Sequence, residues 1–342
     1  MSLRGRRVLV TGGTGFLGGR LVEKLVLEQG AEVRVLVRDV SRASRIARFD
    51  LELARGDVTD AEAVGRAVRG CDVAVHCAYG NRGTARQRSA VDVDGTRTVA
   101  EAVLREGAAR MVHVSSIAVY GRTPDGAVDE TTSPGGAGDR YSRTKREGEA
   151  LVLDLHRRAG LPVAVLRPTC VYGPFGLAFT IDPLEELASR RVVLVDGGEG
   201  LANVVYVDDA VDALLLAATA PAAVGEVFLV SGPRPVTWRE LYAAYERMLG
   251  VSATVAMTAE EVRALARAER RRRGRREGLR AQPFDVPSEH MLAFYAARTV
   301  FRIDKAATLL GYRPRFDLER GMALTEAWAR WSGLIPRPGG GD

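Results

Sequence analysis

The sequence predicts an α/β protein built on a doubly wound parallel sheet. Three observations support this fold class. Short apolar runs recur along the first half of the chain, helical patterns separate them, and a glycine-rich turn, "TGGTGFLGG" at 11–19, follows the first run. Continuous apolar runs are typical of strands that are buried on both faces of a parallel sheet.

The apolar runs give the predicted strands in order. They lie at 6–12, 32–37, 51–57, 71–78, 109–116 and 161–168, with a later one at 226–232. We therefore predict a Rossmann-type domain over residues 1–168. Residues 169–342 are expected mainly to bind substrate and to be interleaved with the last sheet elements. An arginine-rich helical insert is predicted near 252–298, because Thr258 and Glu261 form a capping-box signature.

Composition excludes several classes of protein. At 342 residues and 46% apolar content, the chain can bury a large core. Its three cysteines are Cys71, Cys77 and Cys170, and no Cys/His cluster has zinc spacing, so we expect free core thiols and no metal. The N-terminal residues do not resemble a signal peptide, and the longest apolar run is too short to span a bilayer. A cytoplasmic protein without a membrane span is expected.

The net charge of +6 comes from one segment. Residues 263–280 contain nine arginines against two glutamates, so the rest of the chain carries about one net negative charge. A solvated charged helix or a disordered insert accounts for this segment. Contact with an anionic substrate group, a partner or nucleic acid is the alternative. Nucleic acid is disfavoured, since no aromatic residues interleave with these arginines.

The glycines at 12, 15 and 18 lie between a predicted strand and a predicted helix, where they suit a dinucleotide. The first allows a tight turn, the second lets the backbone approach a pyrophosphate, and the third lets the helix lie close to the strand. The helix N-terminus then offers free N–H groups to the phosphates. The residues expected to bind the cofactor here are Gly12, Thr14, Gly15, Phe16, Leu17 and Gly18.

The end of the second predicted strand favours NADP over NAD. A carboxylate that binds the ribose 2′-OH is expected about 20 residues beyond the glycines, but Val37 and Arg38 stand there. A guanidinium suits a 2′-phosphate. Asp39 offers a carboxylate for NAD if it rotates inward, and Arg38 can equally be a solvated side chain. After the third strand, Asp57 and Val58 are expected to contact the adenine, with a helix-capping role for Asp57 or Asp60 as the alternative.

A later pair of motifs carries the candidate chemistry. Tyr141 and Lys145 lie four residues apart on a predicted helix, which places the phenol and the ammonium on one face. We expect the ammonium and the positive nicotinamide together to lower the pKa of Tyr141 from about 10 to about 7, so that the phenol can act as an acid and a base. Ser115 and Ser116 end the fifth predicted strand. A serine hydroxyl there would hold a substrate oxygen in line with hydride transfer.

Taken together, these motifs resemble the extended short-chain dehydrogenase/reductases, also called NAD-dependent epimerase/dehydratases. The resemblance covers most of the chain, including "TGGTGFLG", "HVSSIAVYG", "YSRTK" and "LRPTCVYGP". It implies that Tyr141 is the catalytic acid/base, that Lys145 lowers its pKa and binds the nicotinamide ribose, and that Ser116 contacts the reacting oxygen. Ser115 is the less favoured serine. It also implies cofactor contacts from Cys77, Ala78, Tyr79 and Pro168.

The chain departs from the family pattern at several positions. Asp92 stands where asparagine is usual, and Cys170 stands where nucleotide-sugar enzymes commonly have asparagine. Ile117 and Ala118 follow Ser116 in place of the Asp-Glu pair of sugar 4,6-dehydratases, so dehydration is disfavoured. The Arg-Pro-Gly-Asp phrase that often binds a sugar nucleotide is missing.

Three functions remain in competition. The first is an NADP(H)-dependent oxidoreductase that acts on a secondary alcohol or ketone of a sugar or a similar polyhydroxylated substrate. The second is a nucleotide-sugar epimerase that uses bound cofactor without net redox. The third is a non-catalytic regulator that senses NADP. The substrate is expected to be a small molecule, anionic or nucleotide-linked in some of these cases, and the resemblance implies a homodimer.

Overall fold

A computed structural model describes residues 2–135, 138–189, 191–274 and 287–336. The strands are β1 (Arg7–Thr11), β2 (Glu32–Val37), β3 (Glu52–Arg55), β4 (Val73–His76), β5 (Arg110–Val114), β6 (Gly126–Val128), β7 (Val163–Pro168), β8 (Cys170–Tyr172), β9 (Val192–Val195), β10 (Val204–Tyr206), β11 (Val227–Val230), β12 (Thr254–Met257) and β13 (Thr299–Phe301). The helices are α1 (Phe16–Leu27), α2 (Ala61–Val68), α3 (Ala85–Glu106), α4 (Arg140–Ala159), α5 (Asp182–Ser189), α6 (Val207–Thr219), α7 (Trp238–Leu249), α8 (Ala259–Gly274), α9 (Glu289–Ala296) and α10 (Leu318–Trp331).

Seven of these strands form one parallel sheet in the order β11-β7-β5-β4-β1-β2-β3. Each strand falls within a run that the sequence analysis identified, so the predicted doubly wound α/β fold is confirmed. Strand order reverses beside β1, which lies between β2 and β4. In sheets of this kind the ligand site lies outside the carboxyl ends of the strands at such a reversal.

Helices cover both faces of the sheet. On one face α1 and α6 bury apolar side chains such as Leu21, Leu25 and Leu214 against the strands. On the other face α2, α3 and α4 do the same through residues that include Val64, Val99 and Val152. This two-faced burial explains why the strands are continuously apolar and do not alternate with polar residues.

Three two-stranded parallel pairs lie outside the main sheet, namely β8 with β10, β9 with β12, and β6 with β13. β6 comes from before residue 168, yet it pairs with β13 near the end of the chain, while β11 joins the main sheet. Each half of the chain therefore contributes a strand that pairs with a strand of the other half. The division into 1–168 and 169–342 stays a prediction.

The capping box predicted at Thr258 is present. Thr258 N and Oγ1 both donate to Glu261 Oε2, and α8 runs from Ala259 into the arginines. The remainder of the arginine-rich segment, from 275 to 280, lies outside the described residues. Within the described part of the chain, no helix is long and apolar enough to cross a membrane, and no group of side chains could hold a metal ion.

Candidate active site

The glycine-rich turn follows β1 and packs against the segment that follows β4. Gly12 has a positive φ of 72°, and a Cβ atom there would lie 2.7 Å from backbone atoms of Cys77 and Ala78. A Cβ atom on Gly18 would lie 2.3 Å from the carbonyl oxygen of Gly12. Both distances are too short for a side chain, so glycine is required where β1, α1 and residues 77–78 meet.

The first turn of α1 is suited to an anion. Its N-cap residue is Gly15, and among the described residues no side chain caps it and no acidic residue lies in its first turn. The N–H groups of a helix start and the positive end of the helix dipole attract phosphate. Thr14 and Gly15 are exposed, whereas Phe16 and Leu17 are partly buried. The chemistry of this helix end fits the pyrophosphate of a dinucleotide.

The end of β2 presents a guanidinium. Arg38 is half exposed and forms an ion pair with Asp57, at 3.6 Å between Nη1 and Oδ2. The Asp39 carboxylate accepts hydrogen bonds from the backbone N and the Oγ of Ser41, and these bonds lower its pKa. Asp39 is the carboxylate that would favour NAD by binding the ribose 2′-OH. In the structure this carboxylate is hydrogen-bonded to Ser41 instead.

The segment after β3 contains two aspartates with different partners. Asp57 accepts hydrogen bonds from the backbone N and the Oγ1 of Thr59. Asp60 caps α2 by accepting from the backbone N–H groups of Glu62 and Ala63. The neighbouring Val58 is buried against Gly95 of α3. The helix-capping alternative therefore applies to Asp60 and not to Asp57.

Ser116, Tyr141 and Lys145 lie together at the carboxyl edge of the sheet. Ser116 caps a short 3-10 turn, Ile117–Tyr120, and its Oγ accepts from the backbone N of Ala118 at 3.1 Å. The same hydroxyl lies near the Tyr141 phenol and opposes the rise in its pKa. Lys145 Nζ donates to the carbonyl oxygen of Val114 at 2.7 Å and lies 5.8 Å from the centre of the Tyr141 ring.

Burial acts on the pKa of both catalytic candidates. It raises the pKa of Tyr141 above its ordinary value, and the neighbouring Ser116 only partly opposes this rise. Burial also lowers the pKa of Lys145, although Asp92 opposes that change. The expected fall in the pKa of Tyr141 toward neutral pH depends on the positive nicotinamide as well as on Lys145, and it stays a prediction.

The segment after β4 forms one wall of the site. The Tyr79 ring meets the Tyr141 ring edge-on, with 5.1 Å between their centres, and it lies 5.9 Å from Lys145 Nζ. Cys77 and Ala78 of the same segment contact the glycine turn through Gly12. These contacts connect the glycine turn to the candidate catalytic residues. Pro168 ends β7 at the same edge of the sheet.

Asp92 is held by three donors among the described residues, and the sequence analysis identified none of them. Its buried carboxylate accepts from the backbone N of Gly80 at 2.7 Å, from Arg140 Nη1 at 2.8 Å and from Thr144 Oγ1 at 2.9 Å. Arg140 directly precedes Tyr141 and also donates to the Tyr79 hydroxyl at 3.4 Å. The charge introduced by aspartate is thus balanced by a guanidinium on α4. The signal for this pair was present in the sequence as an acid in the usual place of an amide.

The two serines at the end of β5 have separate roles. Ser115 Oγ donates to Glu149 Oε2 at 2.6 Å, and Glu149 also forms a buried ion pair with Arg167. Arg167 Nη1 donates in turn to the Tyr120 hydroxyl at 2.6 Å. This network joins α4, β5 and β7 beneath the site, and it occupies the Ser115 hydroxyl. Ser116 is the serine that faces Tyr141.

Known proteins resemble this chain in sequence and in fold. The sequence profile described as NAD dependent epimerase/dehydratase family matches residues 8–231. A 4-hydroxy-2-methyl-3-oxo-4-farnesyl-3,4-dihydroquinoline-1-oxide ketoreductase from Stigmatella aurantiaca is 31% identical over 339 residues, which cover 96% of this chain and 99% of that protein. A dTDP-glucose 4,6-dehydratase from Streptomyces antibioticus is 30% identical over 355 residues, which cover 97% and 96%.

Solved structures share the fold. The dTDP-glucose 4,6-dehydratase DesIV from Streptomyces venezuelae, solved with NAD and TYD bound, superposes with a TM-score of 0.76 at 24% identity. The superposition covers 96% of this chain and 99% of that one. At this identity the likeness establishes the fold.

Proposed function

Because the chain belongs to the NAD-dependent epimerase/dehydratase family, we propose that it is an NAD(P)-dependent oxidoreductase that transfers hydride between the nicotinamide and a secondary alcohol or ketone. Tyr141 is the acid/base of this proposal, Ser116 binds the reacting oxygen, and Lys145 binds the nicotinamide ribose. The observation that carries it is the placement of the Lys145 ammonium 5.8 Å from the centre of the Tyr141 ring, with Ser116 beside the same phenol.

The bound nicotinamide nucleotide supplies the hydride for reduction or takes it up in oxidation. Within this chain, the Ser116 hydroxyl donates a hydrogen bond to the carbonyl oxygen and orients it toward Tyr141. The Tyr141 phenol then gives its proton to that oxygen as charge develops there. Lys145 remains fixed by its bond to the Val114 carbonyl, and its ammonium stabilises the phenolate that remains.

The pKa of Tyr141 determines how the rate of each direction of the proposed reaction depends on pH. A phenol whose pKa lies above its ordinary value is protonated at neutral pH, and it is therefore a proton donor that suits ketone reduction. Alcohol oxidation needs the phenolate as a proton acceptor. We therefore expect the oxidation rate to rise with pH toward the pKa of the phenol, while reduction is fastest below it.

The test is a matched pair of phenylalanine variants. Tyr141→Phe removes the acid/base, and its kcat is expected to fall by about 10²- to 10⁴-fold, while NADPH binding stays within a few-fold of wild type. Tyr79→Phe removes a hydroxyl from the ring that meets Tyr141 edge-on, and it is expected to keep most of its activity. Full activity in Tyr141→Phe would overturn the proposed mechanism.

The cofactor of this proposal is NADPH in preference to NADH. Support comes from the half-exposed Arg38 at the end of β2 and from Asp39, whose carboxylate is engaged by Ser41. Arg38→Ala is expected to raise KM for NADPH about 10-fold and to leave KM for NADH unchanged. Arg66→Ala, on the exposed face of α2, is the control. An equal effect on both cofactors, or none, would count against this preference.

Epimerisation of a nucleotide sugar is the second candidate. It is supported by the similarity to the dTDP-glucose 4,6-dehydratase of Streptomyces antibioticus across nearly the whole chain. The same three residues would oxidise one carbon and reduce it again without net redox. Turnover of a nucleotide sugar by purified protein, with no cofactor added, would favour this function over the first. Dehydration stays disfavoured, since Ile117 and Ala118 follow Ser116.

Two further expectations belong to this proposal. We expect a cytoplasmic enzyme, and we expect a homodimer that forms through α3 and α4, the helices that contain Asp94 and Tyr141. Sedimentation velocity at micromolar protein checks the second expectation, and a monomer there would contradict it.

A further inference from the structure

Residues 79–92, which comprise the segment after β4 and the start of α3, carry a concentration of positive charge. They contain Arg82, Arg86 and Arg88 but a single acidic residue, Asp92. We refer to the three arginines as the basic rim. Apart from residues 263–280, the chain as a whole carries about one net negative charge, so the basic rim is a local feature. A local excess of this kind attracts anions.

The basic rim has no counter-ion within the described part of the chain. Asp92, the acidic residue of the same segment, is already paired with Arg140 at 2.8 Å. No ion pair among the described residues involves the three arginines of the rim. Arg82 and Arg86 are exposed, and Arg88 is partly exposed. Their guanidinium groups are therefore available to an anion from solution.

Arg88 holds its side chain against the protein. Its Nε atom is buried and has no hydrogen-bond partner within the described residues. Neither of its two terminal nitrogens is buried without a partner in this way, and since no described group bonds to them, they are open to solvent. A guanidinium that is already ordered and lacks an acceptor loses less conformational freedom on binding a carboxylate or a phosphate than a mobile surface arginine does.

Direct contacts link Arg88 to the wall of the candidate active site. Its backbone carbonyl packs on Gly80, where a Cβ atom would lie 2.2 Å from that oxygen. The backbone N of Gly80 donates to Asp92, which lies one helical turn after Arg88 on the same face of α3. Gly80 directly follows Tyr79, whose ring meets the Tyr141 ring edge-on at 5.1 Å. The basic rim therefore borders the candidate active site.

Arg140 extends the positive charge toward the phenol. Its Nη1 atom is taken by Asp92, whereas within the described residues its Nη2 atom makes two long bonds, at 3.4 Å to the Tyr79 hydroxyl and at 3.3 Å to the carbonyl of Gly80. Its guanidinium lies 6.0 Å from the centre of the Tyr79 ring, and that ring in turn contacts Tyr141. A short chain of atoms is enough to join an anionic group at Nη2 to a carbon that reacts at the phenol.

We propose that the basic rim binds an anionic group of the substrate, a carboxylate or a phosphate ester, while the ketone or alcohol of the same molecule reacts at Tyr141. Arg88 is the principal residue of this site, and Arg140 Nη2 is its second donor. The other two arginines of the rim add positive potential. A guanidinium binds either anion through two parallel hydrogen bonds. The inference rests on the proposed function and narrows its substrate class to alcohols and ketones that carry negative charge.

Two matched pairs of ketones test this proposal with the full chain and NADPH. 5-Oxohexanoate is compared with its neutral amide, and the phosphate ester of 6-hydroxyhexan-2-one is compared with the parent alcohol. Within each pair the reacting end is the same and the charge differs. We expect kcat/KM for at least one anion to exceed that for its neutral partner by about 10- to 100-fold. A preference in the first pair identifies a carboxylate, and a preference in the second identifies a phosphate ester.

Two glutamine variants on α3 locate the effect. Arg88→Gln removes the charge beside Gly80 and is expected to reduce the preference for the anion by about 10-fold. Arg97→Gln, at an exposed arginine later on the same helix, keeps the preference. Circular dichroism and NADPH titration establish that each variant is folded. If Arg88→Gln does not fold, Arg82→Gln in the exposed loop before α3 takes its place, with an expected reduction of about 2- to 3-fold.

The outcomes separate this proposal from the proposed function. Equal kcat/KM within both pairs would overturn the basic rim as an anion site and leave the oxidoreductase intact, as would equal losses of preference in Arg88→Gln and Arg97→Gln. If no ketone is reduced, the decisive measurement is saturation-transfer NMR of the two anions with the wild-type protein and NADPH. Binding that Arg88→Gln abolishes and Arg97→Gln keeps supports the anion site even though the oxidoreductase function fails. Absence of such binding overturns the anion site.

Discussion

The ion pair between Asp92 and Arg140 allows a quantitative test of how the site is held together. The Asp92 side chain is 2% exposed and the Arg140 side chain is 18% exposed. The carboxylate also accepts from Gly80 N and Thr144 Oγ1. The pair therefore connects the segment after β4 to the first turn of the helix that carries Tyr141.

The expected free energies follow from these contacts. Arg140→Gln leaves a buried carboxylate with two hydrogen bonds and no counter-charge, and breaking a buried pair in this way costs about 3–5 kcal/mol. Because Arg140 is partly exposed, we expect Arg140→Gln to lower the free energy of unfolding by about 2–3 kcal/mol. Asp92→Asn leaves the guanidinium, which can turn toward solvent, so we expect about 2 kcal/mol. The double variant is expected to lose only about 2 kcal/mol, since neither charge remains.

Urea unfolding of the wild type, both single variants and the double variant measures these values. The sum of the losses of unfolding free energy in the two single variants should exceed the loss in the double variant by about 2 kcal/mol. Additive losses would refute the conclusion that the two charges stabilise each other.

The same variants carry a second readout in the pH dependence of alcohol oxidation. Asp92 raises the pKa of both Tyr141 and Lys145, so Asp92→Asn should move the midpoint of the rate profile to lower pH. A merely structural role for Asp92 would leave that midpoint unchanged.

The remaining predictions concern the cofactor turn and acid stability. Gly18→Ala places a Cβ atom 2.3 Å from Gly12 O, and it should weaken NADPH binding at least 10-fold. The control Gly19→Ala, on the same helix, meets the flexible end of the Arg45 side chain at 3.1 Å and should weaken it less. Equal effects in a fluorescence titration would contradict the crowding argument. Burial lowers the pKa of His76 to about 3, so the unfolded chain binds the proton first as pH falls below 6.5. The contribution of His76 to stability should be complete above pH 6.5 and decrease by about 1.4 kcal/mol per pH unit toward pH 3. Burial also lowers the pKa of His113, which adds a decrease of its own. His76→Gln should therefore reduce the slope in urea titrations without abolishing it, and an unchanged slope would contradict this prediction.

Much of the fold could be predicted from the sequence because its strands are buried on both faces. Runs such as "VFLV" at 227–230 have no polar residue, and glycines mark the turn after β1. The pairing of β6 with β13 could not be predicted, since each strand has three residues and they lie more than 170 positions apart in the chain. Such short segments have no periodicity of their own, and their pairing depends on how the two halves pack.

Some contacts of the candidate site could likewise be predicted from the sequence, and others could not. Tyr141 and Lys145 share a helix, so their spacing alone places them on one face. Arg140 and Asp92 lie on different helices, as Glu149 and Arg167 lie on a helix and a strand. Their contact depends on how α4 packs against α3 and β7, which the sequence does not specify. The rise in the pKa of Tyr141 likewise depends on which side chains bury the phenol, and the sequence pattern does not show them.

The most direct test of the central claim follows the hydride itself. Wild-type protein is mixed with a ketone that it reduces and with NADPH that carries deuterium at carbon 4 of the nicotinamide. Each of the two stereospecifically labelled forms is used in turn, and the alcohol is analysed by mass spectrometry. We expect one form to deliver its deuterium to the carbinol carbon, and the Tyr141→Phe protein to deliver at least about 100-fold less in the same time. An alcohol that carries no deuterium with either form, or equal transfer by Tyr141→Phe, would contradict hydride transfer assisted by this phenol.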